Sequence, residues 1–147
     1  FTNVNFEADS AYAGGAIRIA AAGGVFKNCN FNSNNAIDGA AIYSSSADVK
    51  VYNCTFSGNT AFREGAAVYA NTDMSEFVNC LFNGNKITTG SGTLRLINST
   101  AKITNCSLVG NKKAAGNDGS AIYATSVDIL EPLPSALHVT LPILTSR

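Results

Sequence analysis

Asp38, Glu64 and Asp118 stand at one recurring place in the sequence, each immediately before a glycine. Two such carboxylates on neighbouring turns of a chain could hold a hard cation, or serve as the acid and base of a hydrolysis. The surroundings argue against both roles. The corresponding place near Gly90 carries no acid, Arg63 sits beside Glu64, and the single histidine, His138, lies far from all three. The expectation is therefore no catalytic residue, no metal and no cofactor. Four cysteines, Cys29, Cys54, Cys80 and Cys106, recur at intervals 54−29=25, 80−54=26 and 106−80=26. Thiols at a fixed interval suggest metal ligation or disulfides. A third set, Arg18, Tyr43, Tyr69, Arg95 and Tyr123, recurs in step with small residues at Ala16, Ala41, Ala67, Thr93 and Ala121. Arginine and tyrosine side by side suit recognition of sugars or proteins, although both also favour exposed strand positions for local reasons.

What places these residues relative to one another is a repeat. Five copies of one phrase open on Asn3, Asn28, Asn53, Asn79 and Asn105, at intervals of 25, 25, 26 and 26, and each copy places an apolar residue three positions on, at Phe6, Phe31, Phe56, Phe82 and Leu108. A second phrase shares the period: Gly14-Gly15-Ala16-Ile17, Gly39-Ala40-Ala41-Ile42, Gly65-Ala66-Ala67-Val68, Ser91-Gly92-Thr93-Leu94 and Gly119-Ser120-Ala121-Ile122. A period of this length signals a solenoid. Ile17-Arg18-Ile19 and Leu94-Arg95-Leu96 alternate apolar and polar, the period of a strand, and helical spacing is nowhere sustained. The predicted fold is all-β: a parallel β-helix of about five coils, right-handed because parallel crossovers are, with three short strands per coil. It spans residues 1–129, and the repeat is already running at Phe1, so the chain is read as part of a longer or processed protein.

In such a stack equivalent residues become columns about 4.8 Å apart. Ile17, Ile42, Val68, Leu94 and Ile122 are expected to form an inward aliphatic column, and the phenylalanines an inward aromatic one. Asn28, Asn53, Asn79 and Asn105 are expected at a bend as a hydrogen-bonded ladder, and Asn34, Asn59, Asn85 and Asn111 as turns that end strands. The ends of the cysteine column would be roughly 14 Å apart, too far for one tetrahedral zinc site. Two readings stay open: reduced, buried thiols, or disulfides between neighbours whose Cβ atoms close to about 3.8 Å. The Arg18-to-Tyr123 stripe would face outwards as a flat platform. Three N-glycosylation sequons begin at Asn53, Asn98 and Asn105; the ladder members should be poorly accessible, leaving Asn98 as the acceptor if the chain is secreted from a eukaryotic host.

The phrases G-G-A-I at Gly14 to Ile17 and F-x-x-N at Phe31 to Asn34, Phe56 to Asn59 and Phe82 to Asn85 resemble the repeats of polymorphic outer membrane proteins, across residues 1 to about 128. The pattern departs where a glycine becomes Ala40 or Ala66, at Ser91 to Leu94, and at Leu108. The resemblance implies surface exposure, with adhesion or scaffolding, and names no ligand.

Among 147 residues, ten basic and ten acidic side chains give no net charge, with 46% hydrophobic and 14% charged. Disorder and nucleic-acid binding are set aside on that balance, and membrane insertion of this segment for want of an apolar run of about 18 residues. Residues 130–147 hold all three prolines, Pro132, Pro134 and Pro142, and read as a cap, a linker or an assembly segment. The function expected is a non-enzymatic extracellular or cell-surface structural or adhesive module. Its expected partners are copies of itself stacked head to tail into filaments, other surface proteins, or glycans. The alternatives are a carbohydrate-binding module, or a polysaccharide lyase or hydrolase using Asp38, Glu64 or Asp118.

Overall fold

A computed structural model describes residues 1–72, 74–114, 121–125, 128–130 and 138–139. Every strand pairs in parallel with its own copy one coil away, so the sequence repeat becomes the sheet register: Phe6 opposes Phe31, Phe31 opposes Phe56, and Phe56 opposes Phe82. Four sheets run along the solenoid. Sheet I contains Asn5–Glu7, Asn30–Asn32, Thr55–Ser57, Leu81–Asn83, Ser107–Val109 and His138–Val139. Sheet II contains Ser10–Ala13, Asn35–Asp38, Thr60–Glu64, Lys86–Ile87 and Lys112–Lys113. Sheet III contains Ile17–Ile19, Ile42–Ser44, Val68–Asn71, Leu94–Ile97 and Ile122–Thr125. Sheet IV contains Gly24–Lys27, Val49–Tyr52, Met74–Val78, Thr100–Thr104 and Asp128–Leu130. Within the C-terminal segment, the backbone of His138–Val139 extends sheet I by pairing with Ser107 and Leu108. Among the described residues no helix is long and apolar enough to cross a membrane.

Three runs per coil were expected and four strands form, because the F-x-x-N phrase contains a corner. Two residues after the inward phenylalanine, or after Leu108 in its place, the backbone turns left-handed, at Ser33 (φ 56°), Gly58 (62°), Gly84 (63°) and Gly110 (62°). That residue breaks the two-residue alternation and turns the next asparagine inwards. Asn34, Asn59, Asn85 and Asn111, expected only to end strands, are instead an interior ladder at 0, 0, 0 and 4% exposure. The Asn59 Oδ1 accepts from the backbone N–H and the side-chain Nδ2 of Asn34, at 2.9 and 3.0 Å. Its own Nδ2 donates to the Phe31 carbonyl and to the Asn85 Oδ1, at 3.0 and 2.9 Å. A buried amide survives because its polar atoms are satisfied in this way.

The column beginning at Asn28 is also a ladder, but it lies outside. Asn28 donates to Asn3, Asn53 to Asn28 and Asn79 to Asn53, at 3.2, 3.3 and 3.1 Å, all exposed. Asn105 keeps the left-handed backbone (φ 50°) but, among the described residues, makes no such side-chain bond. Because this bend turns its side chains to solvent, Asn53 and Asn105 are exposed, contrary to the low accessibility expected of them.

The core follows the predicted columns. Phe31, Phe56 and Phe82 stack at 4.7 Å between ring centroids, and Ile42, Val68 and Leu94 are fully buried. Phe6, Ile17 and Ile122 pack partly buried at the ends. Sheet IV adds a third inward column of Phe26, Val51, Phe77 and Ile103. Burying each of the large side chains contributes about 1.5–3 kcal/mol. The four cysteines sit inside as free thiols, exposed by no more than 3%. The Cys54 sulfur accepts a hydrogen bond from the Cys29 backbone N–H at 3.3 Å, and burial pushes the Cys54 thiol up to about 11.

Candidate functional site

The charged and aromatic residues converge on the corner between sheets II and III. There the chain turns through Gly14, Gly39 and Gly65, with φ 66°, 58° and 63°. At Gly65 a Cβ would stand 2.5 Å from the Val68 carbonyl oxygen, so only glycine makes this turn without strain. The residue before each turn ends a strand of sheet II at the rim, which makes Asp38 and Glu64 register partners on adjacent coils. Adjacency of the two carboxylates was legible in the sequence; the occupants around them were not.

Between Ala61 and Glu64 the third coil carries one extra residue: Phe62 and Arg63 together oppose Ile37, a β-bulge. The bulge accounts for the lengthening of the repeat from 25 to 26. It aims Phe62 and Arg63 outwards, and Arg63 folds back over the neighbouring coil. Its Nε and Nη2 donate to both oxygens of Asp38, at 3.0 and 2.5 Å. This fork matches carboxylate geometry, and the hydrogen bonds raise the Arg63 pKa further above its already high range. Gly90 lies under the bulge, where a Cβ would collide with the Arg63 carbonyl oxygen. Glu64 meets Arg95 one coil on, with Nε and Oε2 2.5 Å apart. The N–H is not aligned on that oxygen, and the pair stands as a close charge contact rather than a good hydrogen bond. Burial raises the Glu64 pKa, and Arg95 opposes the rise.

The predicted stripe is in register: Arg18 opposes Tyr43, Tyr43 Tyr69, Tyr69 Arg95, and Arg95 Tyr123. Its rings do not form the expected platform. Tyr43 and Tyr69 stack face to face, 4.8 Å apart and within 9° of parallel, and the Arg95 guanidinium lies 3.9 Å from the Tyr123 ring centre. Side chains repeating at the rung spacing cover each other's faces, so the stack presents ring edges and hydroxyls to solvent. The small residues meant to flatten the platform are buried or half-buried beneath it. Arg18 is the exception: exposed, and without an ion pair or hydrogen bond among the described residues.

Sequence reasoning missed Tyr12 and Phe62, exposed by 69% and 55% on sheet II. Tyr12, Arg18, Asp38, Tyr43 and Arg63 line an open cleft of about 390 Å³. A large apolar residue at an outward strand position was the available signal for Phe62. Asp118 lies outside the described residues, and His138 is placed only by its backbone, away from this corner in sheet I. No group of three or more metal-ligating side chains occurs among the described residues. Asn98 is exposed at a left-handed bend between sheets III and IV, its amide donating to Asn71 at 3.2 Å.

A family model described as a right handed beta helix region matches residues 1–129. No curated protein and no solved structure matches the chain.

Proposed function

Because the chain belongs to the right-handed β-helix family, we propose that it serves as a non-catalytic structural and adhesive module at a cell surface or in the medium around a cell. The observation that carries the reading is the state of the rim carboxylates. Asp38 is held by both arms of Arg63, and Glu64 faces Arg95. A hydrolase needs one carboxyl free to give a proton and one free to activate water or attack. Here each is matched to a guanidinium of the next coil, and the pairing pins successive coils together. The likeness of the repeated phrases to polymorphic outer membrane protein repeats supports surface display, and the in-register core columns suit copies that stack end to end. Labelling intact source cells with an antibody tests the reading: signal on unpermeabilised cells or in the medium is expected. Signal that appears only after permeabilisation refutes it.

A further inference from the structure

Resting on the reading of the protein as an adhesive module, we infer that the corner of sheets II and III docks an acidic segment of a partner protein. A partner carboxylate sits on Arg18 and Arg63, and partner apolar side chains pack on Tyr12, which lines the cleft, and on Phe62, which stands beyond Ile37 on the same face of sheet II. Charge complementarity comes first. The cleft holds two guanidiniums against the single carboxylate of Asp38, and Arg18 has no anion of its own among the described residues. One further carboxylate completes the set, and arginine suits it by offering a planar fork of donors. The apolar half is equally specific. The Phe62 side chain has no hydrogen-bonding group, and it stands exposed at an outward strand position, beside the extra residue that turns Arg63 outwards too. Bulges re-aim side chains, and this one is supported from beneath by Gly90.

A saccharide fits less well. Tyr43 and Tyr69 stack on one face of each other, which leaves the stripe no broad row of open ring faces for a sugar chain. Exposed aromatic residues beside arginine are enriched at protein–protein contact sites.

The test is a chip carrying synthetic peptides in which Asp or Glu adjoins Leu, Ile or Phe. The same peptides with Asn or Gln, and neutral and uronate-bearing oligosaccharides, share the chip. The wild-type chain binds the acidic peptides, loses them when the acid is an amide, and weakens as salt rises. Arg18→Gln and Phe62→Ala each weaken binding about tenfold, or about 1.4 kcal/mol. Both side chains are exposed, so the far-ultraviolet circular dichroism of each variant stays that of wild type. Equal retention of acid and amide peptides overturns the inference, as does binding of oligosaccharides in place of peptides, or an unchanged affinity in both variants. Any of these with surface labelling intact removes this partner alone and leaves the surface module standing.

Discussion

Replacing Asn59 by alanine separates the two asparagine columns by energy. The substitution removes two acceptances from Asn34 and two donations, to Phe31 and Asn85. It leaves the buried backbone N–H of Asn34 without its acceptor, a desolvation penalty of about 1–3 kcal/mol, while each other lost bond contributes about 0.5–1.5. The sum is about 2.5–7.5 kcal/mol, a large part of a typical stability of about 5–15. The exposed column behaves differently. Asn53→Gly also removes two ladder bonds, to Asn28 and from Asn79, but water replaces them and glycine accepts the left-handed backbone (φ 53°). Its cost should stay under about 1 kcal/mol. Urea denaturation of both variants, followed by circular dichroism, gives the comparison. Equal destabilisation by the two substitutions would refute the division into an inner and an outer ladder.

Other outcomes follow from the same geometry. Glu64, raised by burial, contributes stability that is full below its unfolded value of 4.5 and lost as pH rises through its higher folded value. Wild type should therefore lose stability relative to Glu64→Gln as pH rises across that window. Glu76 is lowered, chiefly by the hydrogen bond it accepts from Tyr52, so its contribution is present above 4.5 and lost as pH falls through its folded value. The Glu76→Gln comparison should run with the opposite slope, and matching slopes in thermal melts against pH would contradict both assignments. The native Cys54 thiol should resist a thiol reagent near neutral pH and react after denaturation, since it is buried and burial pushes it up to about 11; rapid native labelling of Cys54 would show an open column. Gly90→Ala should lower the melting temperature, because its Cβ collides with the Arg63 backbone, whereas Gly84→Ala meets no atom within 4 Å and is strained only by its φ of 63°. Equal melting temperatures for the two would deny the close approach beneath the bulge.

The periodicity carried the architecture in full view. Parallel stacking turns a sequence interval into a spatial column, so the positions of Phe31, Phe56 and Phe82, and the adjacency of Asp38 and Glu64, followed from counting. Local backbone events were hidden. A left-handed residue at Gly58 or Gly84 swings the next asparagine from a turn into the core, and the letters F-x-x-N do not reveal that swing. The extra residue of the 26-residue coil was visible as a number, but only pairing places it at Phe62 and Arg63. Ring orientation was hidden for another reason. Outward tyrosines on successive rungs read as a platform, yet their favourable contact is with each other, and the stack turns their faces along the solenoid axis.

The account turns on the rim carboxylates being tied to arginines instead of serving chemistry, and turnover measures this directly. Wild type and the double variant Asp38→Asn/Glu64→Gln should be incubated with pectin, alginate and related polymers while reducing and unsaturated ends are followed. Flat progress curves for both proteins are predicted. Steady release of ends by wild type that the double substitution abolishes would contradict the account, because it would make those two carboxylates an acid/base pair.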